Sequence, residues 1–368
     1  MPEWRLFCAS AFFSGAFLGL DCAQSQHTQE KPSLAVGADT SRASAFVEAA
    51  PVAPPGRPQA EVFDPRAAMA AAPDSSALRT GDVIVAQAPP TEADPYLDSA
   101  PVAARSIGHT SYVLKVRLAN GRAAAFKPRS TLPLGDRRYK SEIAAYRIAR
   151  ALGVRNVPLA MPRAFVGQAL RRAFGSADAA TDFDQKVRPD SNGEVRGALI
   201  PWIDRYEELP LEAPEWRSKW QRWLTETEVN IPAPSLPLAR DLSTLLVFDY
   251  VTANWDRWSG GNVARDEATG TVLFMDNDAA FYESPPRAAL ARQLNLLRRV
   301  VRFSRGFVTS LRALDKSALR DSLGQDLGGE ALLSDSLVDA ADARRKTALA
   351  VIDDQIARTG EAATLSFE

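Results

Sequence analysis

The sequence predicts an α+β fold behind a disordered N-terminal segment, on three observations. Roughly the first hundred residues are rich in Ala, Pro and Ser and hold no sustained periodicity. A period-two run then opens the folded part, with Tyr112, Leu114, Val116 and Leu118 alternating against Val113, Lys115 and Arg117 ahead of an Asn120-Gly121 turn. Apolar stripes at helical spacing dominate from Leu238 onward.

The N-terminal segment divides in two. Leu6 to Leu20 is uncharged and mostly apolar, follows Arg5 and is closed by Asp21. It is shorter than the roughly 20 residues a membrane span needs and suits the core of a signal peptide over residues 1–23. Export to a periplasm, cell surface or medium is therefore expected, with no transmembrane helix once the signal is removed. A lipid anchor on Cys22 is not favoured, because Asp21 stands where a small residue is expected. Eleven of the 25 prolines fall between Pro32 and Pro101, so residues 24–104 read as a flexible tether and folding begins near Arg105.

The first hairpin takes Asn120-Gly121 as a two-residue loop, which pairs Leu118 with Ala123, Val116 with Ala125 and Leu114 with Lys127. Lys127 then projects from the apolar side. It needs an anionic partner or ligand, or else snorkels to water from the strand end. Ser141-Glu142 opens a helix with Ile143, Tyr146, Ile148 and Leu152 inward and Gly153 as its stop. Glu142 in that first turn either complements the helix dipole or pairs with Lys127. Strand material follows around Phe165-Val166 and over Val195 to Ile203, ahead of a Trp/Glu/Pro-rich insertion from Asp204 to Pro237.

The densest chemistry comes next. A helix from Leu238 to Ala253 runs into Asn254-Trp255-Asp256-Arg257-Trp258-Ser259-Gly260-Gly261-Asn262, and the short strand Val272 to Met275 ends at Asp276-Asn277-Asp278. Carboxylate and amide oxygens in this order suit a hard divalent cation, with one Asp left to take a proton from an attacking hydroxyl. Singly, each piece reads as a salt bridge or a turn; with Lys127 and Glu142 upstream, the functional reading is preferred. The last third is helical. Leu294, Leu297, Val301 and Val308 form one helix face, beside a stripe of Arg298, Arg302 and Arg305 that reads first as solvated. Leu337 to Ile356 make a final helix whose middle turn, at Arg344-Arg345, is expected to be less buried than its ends.

Composition narrows the chemistry. The 368 residues are 46% hydrophobic and 24% charged, and the net charge of −1 gives no bulk attraction to nucleic acid. With His27 and His109 the only histidines and Cys8 and Cys22 the only cysteines, an imidazole-based triad, a zinc site and a disulfide framework all lack their residues. Phosphoryl transfer and carboxylate-pair hydrolysis remain.

Phe126-Lys127-Pro128, Glu142-Ile143-Ala144-Ala145-Tyr146, Asp249-Tyr250 with Asn254-x-Asp256-Arg257, and Asp276-Asn277 together resemble the atypical kinases of the secretory pathway, the Golgi casein kinase and four-jointed group. They are also similar to HipA kinases and the phosphatidylinositol 3-/4-kinase-like superfamily. The resemblance spans about residues 105–360. It implies a bilobal protein-kinase-like fold, with a small β-rich N-lobe to about 200 and a mostly helical C-lobe after it. It implies ATP between the lobes with Mg²⁺ or Mn²⁺. Lys127 would hold the α- and β-phosphates, oriented by Glu142; Asp256 would be the base; Asn262 and Asp276 would hold the metal, with Asp278 a substitute for Asn262. Gly108, His109, Thr110 and Ser111 would cover the phosphates, and Leu199, in the segment Gly197 to Trp202, would face adenine. The acceptor implied is a hydroxyl, by default protein Ser/Thr, with a glycan or lipid headgroup as alternatives.

Trp258 follows Asp256-Arg257 where these families carry His, and the step from Asp256 to Asn262 is one residue longer than the usual kinase spacing. Those departures, and a phosphate loop with a single Gly, support a second reading as an inactive kinase fold that binds or regulates a partner. A hydrolase using Asp256 and Asp276 ranks last, since it leaves Lys127 and Glu142 unexplained.

Overall fold

A computed structural model describes residues 95–108, 111–258 and 261–368. The expected signal peptide, Cys22, most of the tether, His109 and Thr110 lie outside the described residues. The chain forms an α+β fold of two lobes. The first is built on a five-stranded antiparallel sheet in the order β1-β2-β3-β5-β4, from β1 (Pro101–Ser106), β2 (Leu114–Leu118), β3 (Ala123–Pro128), β4 (Met161–Val166) and β5 (Glu194–Pro201). Strand β1 starts at Pro101, ahead of Arg105, because its backbone is claimed by β2 along its length.

The hairpin register differs by one residue from the sequence expectation. Leu114 pairs with Phe126, Val116 with Ala124 and Lys115 with Ala125. The loop has three residues, not two. The amide of Leu118 donates to the carbonyl of Arg122 (2.8 Å) and Gly121 takes φ +84°, the left-handed residue of a bulged turn. A one-residue slip exchanges faces. Leu114, Val116, Ala124, Phe126 and Leu199 therefore fill the N-lobe core, while Lys127 pairs with Ala198 on the opposite face. Gly197 has no room for a side chain, since a Cβ there would lie 2.3 Å from the carbonyl oxygen of Lys127.

Helix α1 (Gly135–Ala151) covers that opposite face. It starts six residues before the expected Ser141, which puts Glu142 mid-helix rather than in the first turn. Its apolar side (Tyr139, Ile143, Ala144, Ile148) joins the core of the second lobe, and Gly153 at φ +72° ends it. Helices α2 (Gly167–Arg172) and α3 (Ala177–Lys186) pack beside the first lobe's core.

The segment expected as an insertion is integral to the second lobe. Strand β6 (Tyr206–Glu208) pairs with β7 (Val263–Asp266), itself paired with β8 (Val272–Phe274), and α4 (Pro214–Thr225) buries Trp220, Trp223 and Leu224. Helix α5 (Leu236–Thr252) is buried on every side from Leu242 to Thr252, so it is the axis of the lobe. The stripe expected to be one helix from Leu294 to Val308 is two, α6 (Arg287–Leu297) and α7 (Arg305–Ala313), the second capped by Ser304. The break lets Arg302 donate to the carbonyls of Trp223 (3.0 Å), Thr227 (2.7 Å) and Val229 (3.0 Å), so that arginine is internal structure rather than a solvated stripe. Helices α8 (Lys316–Leu323), α9 (Asp335–Thr359) and α10 (Glu361–Thr364) complete the lobe. The middle of α9 is buried, contrary to expectation, because Arg345 brings its own partners, Asp342 (2.8 Å) and the carbonyl of Leu311 (3.2 Å). Among the described residues no helix is long and apolar enough to cross a membrane.

Candidate functional site

The register that turns Phe126 into the core aims Lys127 at α1 and at the loop after β8. Its ammonium is buried and lies 2.5 Å from Glu142, 2.7 Å from Asp276 and 3.2 Å from Asp278. Burial opposes its charge, but Asp276, Asp278 and Glu142 outweigh burial and hold it protonated well above the ordinary lysine range. Burial pushes the Glu142 carboxyl up despite Lys127. At Asp276 the balance reverses: burial raises the carboxyl, and Lys127 more than compensates, leaving it below the usual range. Asp276 is the open member, its side chain 45% exposed against 4% for Glu142 and 5% for Asp278. It takes φ +53°, a left-handed conformation that few non-glycine residues adopt and that turns the chain sharply off β8.

One oxygen of Glu142 serves two donors, Lys127 and the backbone amide of Asn277 (2.9 Å), so α1 is tied to the loop as well as to β3. Further along α1, Arg138 binds the second oxygen of Asp278 (2.9 Å) and Ser141 donates to the carbonyl of Ala280 (2.9 Å).

The loop after α5 is organised by Arg257, which is fully buried. Its guanidinium forks onto Asp249 (3.0 Å) and donates to Asn277 Oδ1 (2.6 Å), to the carbonyl of Asn262 (3.1 Å) and to that of Met275. Burial raises the Asp249 carboxyl against the pull of Arg257. Asn254 accepts from the amide of Asp256 (3.3 Å), and Asn262 Nδ2 donates to the carbonyl of Asp256 (3.0 Å). Because Val263 pairs with Phe274, Asn262 stands beside Met275 at the same end of the ladder as Asp276. Gly261 at φ +71° turns the longer loop, and Trp258 stacks on buried Trp220 of α4 at 5.4 Å and 9°.

The chain thus gathers Lys127, Glu142 and Asp276 at one point and holds Asp256 and Asn262 in the adjoining loop. Gly108 and buried Ser111 lie between β1 and β2; a Cβ on Gly108 would lie 2.0 Å from the carbonyl oxygen of Ser111, so only glycine fits. Leu199 is a correction. It is fully buried between Phe126 and Met161, on the sheet face away from Lys127, and cannot meet a ligand there. Arg138 carries no motif, and its one signal is its position four residues before Glu142, on the same helix face. Among the described residues no three His, Cys, Asp or Glu side chains form a metal-binding cluster.

No protein-family model matches the chain, and no curated protein sequence matches it. Solved structures do. The Golgi casein kinase with Mn/ADP bound superposes with a TM-score of 0.54 at 17% identity, over 73% of this chain and 76% of that one. A second structure of the Golgi casein kinase gives 0.53 at 18%, over 72% and 74% of the two chains. Hydra Fam20 with sugar gives 0.51 at 16%, over 73% and 89%. The chain therefore has the bilobal kinase-like fold of the Golgi casein kinase and Fam20 structures, with a β-sheet N-lobe and a helical C-lobe.

Proposed function

We propose that this chain is an exported kinase that moves the γ-phosphate of ATP, with Mg²⁺ or Mn²⁺, to a hydroxyl of a protein Ser or Thr. The observation that carries the reading is the buried Lys127 ammonium held between Glu142 of α1 and Asp276 of the loop after β8. A lysine with these neighbours stays protonated, so the site keeps a fixed positive charge. The apolar run Leu6 to Leu20 supports export.

Each residue has a role its surroundings allow. Lys127 holds phosphate oxygens, and Glu142 keeps its ammonium from turning away. Asp256, in a loop set by Arg257, Asn254 and Asn262, takes the proton of the acceptor hydroxyl. Asp276 and Asn262, whose backbone pairs with the neighbouring Met275, bear hard carboxylate and amide oxygens that fit a divalent cation better than a soft one, and would hold it. Such a cation, when bound, would neutralise charge on the phosphate oxygens. The segment at Gly108 lets backbone approach the phosphates, and Ser111 lines it.

ATP with Mn²⁺ or Mg²⁺ should raise the thermal stability of the full chain, and the gain should shrink in Asp276→Ala. Asp256→Asn should abolish phosphate transfer to a casein-like protein while leaving the ATP-dependent stabilisation in place. No stabilisation with either metal would sink the reading. Stabilisation with no transfer to protein, glycan or lipid acceptors would make the chain an inactive binding module instead.

A further inference from the structure

We propose that Asp278 is a positioning residue for Lys127: it lets Asp276 leave the ammonium for a divalent cation without leaving Lys127 under-paired. Resting on the kinase reading above, this adds a third carboxylate to the site.

An ammonium has three N–H donors and no acceptor. Here the three are matched by Glu142, Asp276 and Asp278 at 2.5, 2.7 and 3.2 Å. The three carboxylates are not equivalent. Glu142 is pinned by the amide of Asn277 and Asp278 by Arg138, both at 2.9 Å, and both carboxylates are buried. Asp276 is the exposed one. Its departure would leave Lys127 with two fixed acceptors and one N–H to offer a phosphate oxygen. Charge balances as well, since Lys127 and Arg138 then stand against Glu142 and Asp278.

Without Asp278, Lys127 keeps one fixed partner and must hold on to Asp276. Asp276 is then less free for a cation, while removing a negative charge beside Lys127 does not weaken its attraction for phosphate. The variant should lose the metal-dependent part of nucleotide binding and spare the metal-free part. A general loosening of the fold would weaken both.

The test is titration calorimetry of ATP into the full chain, in EDTA and in Mn²⁺. The ratio of the two affinities should fall about tenfold in Asp278→Ala, the size of one hydrogen bond between charged groups. Asp278→Asn, nearly isosteric, guards against misfolding and should also lower the ratio; Arg138→Gln, which unpins Asp278, should lower it less. An unchanged ratio in both Asp278 variants, or an equal loss with and without metal, overturns the inference alone. No ATP binding by the unmodified chain overturns the kinase reading and this inference together.

Discussion

Arg257 shows what a single side chain does for the site. Its cation is removed from water, and Asp249, Asn277 and two carbonyls replace the hydration it gives up. Removing one partner of a buried pair strands the other charge, so Arg257→Ala should cost about 3–5 kcal/mol in urea unfolding at pH 7. Arg257→Lys should recover little, because an ammonium cannot reproduce the planar fork onto Asp249. A loss under about 1 kcal/mol in the Ala variant would mean that the loop is held by other means. The grouping of Lys127, Glu142 and Asp276 is legible at this scale because a lysine in a strand, a glutamate in the helix after it and an aspartate closing a later strand come in a fixed order. Leu199, which the resemblance puts against adenine, serves the core instead, because its strand partners Phe126 and Met161 face inward and an apolar residue in a strand suits either face.

At the level of elements, expectation and structure part for one reason: the sequence permits competing local geometries equally. Asn-Gly serves a two-residue turn or the end of a three-residue bulged loop, and here Gly121 takes the second. The stripe from Leu294 to Val308 breaks where Arg302 finds three carbonyls, a tertiary reward that periodicity does not carry. Helix α9 is the instructive case. Asp342 lies under Arg345 and Lys346, at 2.8 and 2.7 Å. Burial alone would raise its carboxyl, but the two cations outweigh burial and set it below the usual range. A folded-state pKa below the unfolded value adds stability that is present above the ordinary value of about 3.9 and is lost as pH falls through the folded value. Asp342→Asn should therefore be less stable than the unmodified chain at pH 7, with the gap closing below about pH 4. A gap that is constant from pH 7 to pH 3 would assign the effect to packing instead.

For the molecule as a whole, the decisive fact is that α1 belongs by sequence to the first lobe but packs on both, covering the Lys127 face of the sheet and lending its apolar side to the core of the second lobe. Tyr139, Ile143, Ala144 and Ile148 share a core with Leu242 and Leu245 of α5, while the remaining core of the first lobe is a separate cluster around Phe126. Polar ties run both ways: Tyr139 donates to Asp326 (3.0 Å), Lys140 meets Glu330 (2.7 Å) and Arg137 donates to the carbonyl of Phe281 (2.5 Å), while Glu142 holds Lys127 of β3 and Asp136 holds Arg129 (2.7 Å). A helix tied this way opens with the elements it packs on, and the outer strands β1 and β2 can open separately. In native-state hydrogen exchange the amides of α1 should therefore share the protection of α5 and exceed those of β1 and β2. Leu245→Ala tests the coupling directly, since truncating a buried leucine costs about 2–5 kcal/mol and that loss should appear in both helices. If α5 is deprotected while α1 is unchanged, α1 swings free of the second lobe. Glu142 would then meet Lys127 only part of the time. If both fall together, the lysine site is built by the same packing that holds the lobes as one unit.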